Sequence, residues 1–164
     1  MCTDSELEFL ARRVGEGLLR RDALLSTAES CTGGWIAKVC TDVAGSSRWF
    51  DRGLVTYSNQ AKQELLAVPG SLIQTHGVVS DPVVRAMARA ACAGRGGGFS
   101  VAVSGIAGPA GGTPEKPVGL VWFAWGHPAG VKSEARRFAG DREAVRRQTV
   151  ETALRGLLAF IYPS

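Results

Sequence analysis

The stretch "ALLSTAESCTGGWIAKVCTDV", residues 23–43, decides how the rest of the chain is read. "ALLSTA", 23–28, has the length and apolar character of a short buried strand. "TGGWIAKVCTDV", 32–43, then changes to a helical pattern. Between them lie Ser30, Cys31, Thr32, Gly33 and Gly34. A strand that turns sharply into a helix is the building unit of layered α/β proteins, and ligands collect where such turns open. The turn itself has two readings. Ser30 or Thr32 caps the helix, as such residues commonly do. Alternatively, Ser30 is a nucleophile at a helix start whose backbone N–H groups suit an oxyanion, with Gly33 and Gly34 letting a ligand reach the main chain.

The flanking segments fit a layered α/β fold. Residues 4–21 form an expected amphipathic helix on Leu7, Leu10, Val14, Leu18 and Leu19. "GLVTYS", 53–58, is strand-like, and "NQAKQELLAV" begins a helix with Asn59 as N-cap. "SDPVVRAMARAACA", 80–93, is a further helix with Ser80 as cap and Pro82 in the first turn. "FSVAVS", 99–104, is the clearest buried strand and runs into the glycine-rich loop "GIAGPAGG". "VGLVWFAWG", 118–126, and "VKSEARRF" should pair as a hairpin through "HPAG", and "DREAVRRQTVETALRGLLAFIY" is a long closing helix. Alternating strands and helices with one hairpin predict an α/β fold with a mixed sheet.

With 164 residues and 45% hydrophobic content, the chain suits one domain, 1–164, with a core of its own. No apolar run is long enough for a membrane span, and the acidic start "MCTDSELEFLARR" does not resemble a signal peptide, so a soluble cytoplasmic protein is expected. The four cysteines, Cys2, Cys31, Cys40 and Cys92, form no C-x-x-C pair, and no zinc site or disulfide is expected. The net charge of +4 permits nucleic acid or a small anion. Without a basic tail or aromatics interleaved with a basic stripe, nucleic acid is the weaker reading.

Three segments would meet beyond the carboxyl ends of the strands: Ser30, the run Tyr57-Ser58-Asn59, and the loop from Gly105 to Gly112 that contains Gly108. Cys31 is a rival nucleophile, but its base would have to be His76 or His127, and both sit in turn-like contexts. A serine without histidine needs another base. Lys62 is a candidate if burial lowers its pKa, with Tyr57 as a proton relay; the alternatives are a surface lysine and a core tyrosine. The glycine loop matches neither a P-loop nor a dinucleotide fingerprint. In "GDREAVRR", Asp141 is an expected N-cap, while Arg142 and Arg146 share a helix face and suit a phosphate, or else a solvated charged surface.

Five blocks occurring in order carry a family likeness: "TAESCTGGWIAK", "RGLVTYSNQAK", "HGVVSDPVV", "VSGIAGPAGG…EKPVGLVWFAW" and "FAGDREAVRRQT". Together they resemble the C-terminal domain of the CinA family across about residues 5–160. Standalone members of that family are nicotinamide-nucleotide amidases. The resemblance implies a three-layer α/β/α sandwich with a mixed, mostly parallel sheet. It implies hydrolysis of nicotinamide mononucleotide to nicotinic acid mononucleotide and ammonia, without metal or organic cofactor. It points to Ser30 as nucleophile, with Lys62 and Tyr57 as partners. Backbone N–H groups among Cys31, Thr32, Gly33 and Gly34 would hold the oxyanion. Ser58 and Asn59 fall on the same rim, and Ser104, Gly105, Gly108, Arg142 and Arg146 are expected near the substrate's ribose phosphate. A homo-oligomer is expected.

The chain departs from the family pattern in two places: "HGVVSD" stands for "HGAVSE", and Ala110 stands where an acidic residue follows the proline. Longer relatives carry an additional N-terminal domain, whose activity is not expected of this sequence. The alternative class is a non-catalytic nucleotide-binding module linked to competence or DNA damage.

Overall fold

The computed structural model describes residues 1–92 and 98–164. Its elements are α1 (Asp4–Arg20), β1 (Leu25–Glu29), α2 (Trp35–Asp42), β2 (Phe50–Val55), α3 (Asn59–Leu66), α4 (Gly70–His76), α5 (Asp81–Cys92), β3 (Phe99–Gly105), β4 (Leu120–His127), β5 (Gly130–Arg137) and α6 (Arg142–Ile161). The five-stranded sheet has the order β2-β1-β3-β4-β5. β1 pairs in parallel with β2 and β3, while β4 is antiparallel to both its neighbours. Four strands therefore run one way and β4 alone runs against them. No helix among the described residues is long and apolar enough to cross a membrane.

Strand alternation separates the two faces of the sheet. Val101, Val103, Val121, Phe123 and Trp125 pack with the buried faces of α1, α2 and α6. Ala28, Ala102 and Ala124, which are register partners across β1, β3 and β4, face α5 and the end of α3. Their small side chains let α5 lie close against the sheet. At Gly126 the approach is tighter still: a Cβ there would meet Ser100 Oγ at 2.3 Å and the Ala88 carbonyl oxygen at 3.2 Å. The result is the expected three-layer α/β/α arrangement.

Most elements match the sequence reading, and the differences have local causes. The first helix is capped by Thr3, which exchanges hydrogen bonds with Glu6 in a capping box, and Leu19 lies exposed, outside its buried stripe. β1 extends to Glu29 because that carboxylate is buried among hydrogen-bond donors, so a charged residue ends a core strand. β2 lies three residues earlier than 53–58. Its pairing with β1 matches Leu25 to Phe50, which leaves Thr56 to Ser58 as a connection. Ser58, not Asn59, caps α3, its Oγ accepting from the Ala61 N–H at 3.0 Å. The seven-residue α4 had no sequence signal, being short and closed in by Pro69 and Gly77. Ser80 precedes α5, but its hydroxyl donates back to the Gly77 carbonyl. Ala93, the expected last residue of that helix, lies outside the described residues.

Candidate active site

The carboxyl ends of the three parallel strands form one rim, as open α/β sheets arrange their ligand crevices. Ser30 follows β1 there and remains tied to the sheet, its N–H donating to the Val103 carbonyl at 3.1 Å. Thr56 and Tyr57 follow β2, and Ala107 follows β3. A cavity of about 180 Å³ opens between them. Ser30, Tyr57, Lys62, Ser104 and Arg142 supply its polar wall. Val78, Val79 and Ala107 supply apolar wall, with Cys31 and Gly105 beside them.

At the floor, Lys62 reaches back from the first turn of α3. Its Nζ is 3.0 Å from Ser30 Oγ, 2.9 Å from the Thr56 carbonyl oxygen and 3.3 Å from the Tyr57 carbonyl oxygen. Among the described residues none of these partners is a carboxylate. The two carbonyls can only accept, so they take both N–H bonds of a neutral amine and leave its lone pair for the serine hydroxyl. An ammonium satisfies the same three oxygens with three donors. The cage therefore accommodates the side chain before and after it takes a proton. Lys62 is 1% exposed, and burial lowers its pKa from the ordinary lysine value.

Cys31 adjoins Ser30 but is not poised to react. Burial pushes its thiol pKa up to about 12, with the nearby Glu29 carboxylate acting in the same direction. His127 packs against Phe99 with ring centroids 4.8 Å apart, and neither histidine lines the cavity.

The turn between β1 and α2 is held by two charged residues that face opposite ways. Glu29 is fully buried, and its carboxylate accepts from the Ile36 and Ala37 N–H groups, both at 2.9 Å, and from the Thr32 hydroxyl at 2.6 Å and the Thr27 hydroxyl at 3.2 Å. Glu29 thus caps α2. Gly34 occupies the N-cap position at φ +98° without a side chain to do so. Neither Ser30 nor Thr32 is the cap, which leaves the Ser30 hydroxyl to Lys62. From the other side, Arg146 donates to the carbonyls of Cys31 and Thr32, each at 3.1 Å, and its guanidinium lies 5.3 Å from the Trp35 ring centroid. Drawing those carbonyls toward Arg146 turns the following N–H groups the other way across planar peptides. Gly33 N–H closes a turn onto the Ser30 carbonyl at 3.0 Å.

Arg142, the first residue of α6, bridges the rim. It donates to the Gly108 carbonyl and to the Tyr57 hydroxyl, both at 3.0 Å. Tyr57, 59% exposed, lines the cavity, and its hydroxyl bonds Arg142 rather than the Ser30–Lys62 pair. The structure thus brings Ser30, Cys31, Tyr57, Lys62, Ser104, Gly105 and Arg142 together. Thr32, Gly33, Gly34, Ser58, Asn59, Gly108 and Arg146 lie behind or beside the cavity rather than in its wall. Arg146 stands on the backbone of the turn, where the sequence placed it with Arg142 at the substrate. Glu29 and Trp35 escaped the sequence reading. The only available signal was a charged residue at the end of an otherwise uncharged strand.

The site thus holds a buried Ser30–Lys62 contact at the carboxyl ends of parallel strands, and the comparisons with known proteins give the family. Residues 7–161 match the family model of the CinA C-terminal domain. The chain belongs to the CinA C-terminal domain family. It is 60% identical to nicotinamide-nucleotide amidohydrolase PncC of Pseudomonas putida, over 91% of this chain and 93% of that protein. It is 53% identical to the protein of the same name from Escherichia coli K12, over 94% of each. Among solved structures, the competence/damage inducible protein CihA from Agrobacterium tumefaciens superposes with a TM-score of 0.92 at 44% identity, covering 98% of this chain and 97% of that one. The CinA superfamily protein from Klebsiella pneumoniae 700603 gives 0.90 at 37%, covering 94% and 97%.

Proposed function

We propose that the protein is a nicotinamide-nucleotide amidohydrolase that converts nicotinamide mononucleotide and water to nicotinic acid mononucleotide and ammonia. The observation that carries the mechanism is the 3.0 Å contact between Lys62 Nζ and Ser30 Oγ, two buried groups that line one cavity. The relatives named for this activity support the substrate class.

In this reading Lys62 takes the hydroxyl proton as Ser30 Oγ attacks the carboxamide carbon. Backbone N–H groups of the 31–34 turn stabilise the oxyanion; among the described residues, those of Cys31 and Thr32 are bonded to no backbone carbonyl. Lys62 then returns the proton to the departing nitrogen, and ammonia leaves. Water, deprotonated by the same amine, cleaves the acyl ester and restores Ser30. At about 180 Å³ the cavity is smaller than the roughly 300–1,000 Å³ of pockets that enclose a whole drug-sized ligand. It suits the pyridine carboxamide end, with the ribose phosphate toward the rim. There Arg142 has two of a guanidinium's five N–H groups engaged by protein, and the remainder suit a phosphate. The exposed Tyr57 ring offers a stacking face to the cationic pyridinium.

The whole chain, 1–164, acts as one catalytic unit in this proposal, in the cytoplasm and as a homo-oligomer. Four free cysteines, three of them buried, suit a reducing compartment. The decisive assay is ammonia release from nicotinamide mononucleotide by the purified protein and by Ser30→Ala. Release should fall by about 10⁴-fold or more in the variant while its circular dichroism is retained. Native turnover in Ser30→Ala, or an acyl adduct mapped to Cys31, would remove Ser30 from the mechanism.

A further inference from the structure

Ser104 stands beside the nucleophile. Glu29 and Val103 are register partners, and the Ser30 N–H donates to the Val103 carbonyl, so the next residues, Ser30 and Ser104, are neighbours on adjacent parallel strands. Such strands lie about 4.8 Å apart, and alternation puts both side chains on the face of Ala28 and Ala102. Both line the same cavity, and Ser104 is 1% exposed.

The direction of the Ser104 hydroxyl is determined by its partner. Ser104 Oγ donates to the Val78 carbonyl at 2.8 Å. A hydroxyl has one proton and two lone pairs, and a carbonyl can only accept. With the proton committed to Val78, the oxygen can only accept from anything in the cavity. Among the described residues no protein group donates to it.

We propose that Ser104 is the specificity-determining residue for the amide, its Oγ accepting an N–H of the substrate carboxamide beside the atom that Ser30 attacks. This rests on the amidohydrolase reading above. Substrate and product differ at that position. The carboxamide presents N–H donors, whereas the carboxylate product presents only lone pairs. An acceptor fixed beside the reacting carbon binds the first and repels the second, so Ser104 favours substrate entry and product release together. Val78 and Val79, beside it in the wall, supply no donor side chain.

The test uses the Ser30→Ala protein, which holds substrate without turnover. Three mononucleotides are titrated by calorimetry: the nicotinamide compound, the nicotinic acid compound and the 3-acetylpyridine compound. The last replaces the amide nitrogen by a methyl group of similar size and keeps the carbonyl. The amide should bind roughly three- to tenfold more tightly than the ketone, and more tightly than the acid. Adding Ser104→Ala should make amide and ketone equal and strengthen acid binding. Equal weakening of all three ligands would overturn the proposal, because a packing defect does not distinguish them. If Ser104→Ala does not fold, the amide–ketone comparison in Ser30→Ala alone decides, and equal affinities overturn the proposal. Absence of ammonia release from the native protein counts against the amidohydrolase reading; absence of an amide preference in Ser30→Ala counts against Ser104 alone.

Discussion

Lys62 Nζ sits 3.0 Å from Ser30 Oγ in a cage whose other two partners are backbone carbonyls. The residues are 32 positions apart, and the contact exists because α3 folds back under the carboxyl end of β1. Burial disfavours the charged form of that amine, which is what a base paired to serine needs.

The activity of the native protein should therefore rise with pH along a limb below the ordinary lysine value of about 10.4. Lys62→Arg should lose about 10²–10⁴-fold in kcat, since guanidinium stays protonated at any working pH. A pH–rate profile of both proteins checks this. An active Lys62→Arg enzyme would show that a positive charge suffices and that the base lies elsewhere.

Stability should follow the same proton with a definite sign. Burial lowers the folded-state pKa of Lys62 below its unfolded value. Between the two values the unfolded chain binds one more proton, so stability increases as pH rises through that window. Below the folded value the penalty is complete. Lys62→Met removes the charge and should raise Tm at neutral pH, by about 2–4 °C for each kcal/mol recovered in a chain of this size. The gain should shrink as pH approaches the unfolded lysine value. A melting series across pH reads both effects, and a gain that grows with pH would contradict the assignment.

Arg142 and Arg146, one helical turn apart, should behave differently. Arg142→Ala should raise KM for nicotinamide mononucleotide by roughly 10–150-fold, and much less for nicotinamide riboside, which has no phosphate. Arg146→Ala removes the donors to the Cys31 and Thr32 carbonyls and should lower kcat on both substrates alike. Tyr57→Phe, which removes the hydroxyl that Arg142 binds, should resemble a mild Arg142 defect with some activity left. Steady-state kinetics on the two substrates separates these patterns. Matching profiles for the two arginines would refute the division of labour.

Glu29→Gln should destabilise the protein by about 1–3 kcal/mol. The amide NH₂ would confront donors that the carboxylate now satisfies, among them the Ile36 and Ala37 N–H groups. Urea unfolding measures the loss, and native stability in this variant would mean that the cap is dispensable.

Local pattern in the sequence was enough for much of the framework. The leucines of α1 repeat at helical spacing, "FSVAVS" is a buried strand, the "HPAG" turn joins β4 and β5, and Asp141 accepts from the Ala144 N–H as an N-cap. Such features depend on residues a few positions apart, so the sequence displays them directly. The ordered blocks pointed to the family for the same reason.

Tertiary structure alone decided which group caps the helix that follows the 30–34 turn. Serine and threonine at a helix start look alike as caps and as reactive groups. Only the burial of Glu29 against the Ile36 and Ala37 N–H groups frees Ser30 from capping. Arg142 and Arg146 likewise share one helix face in sequence. Their partners, Gly108 and the Cys31 and Thr32 carbonyls, lie 34, 115 and 114 positions away. Sheet register and strand order bring those groups together, and no local pattern encodes the direction in which a side chain finds a partner across the fold.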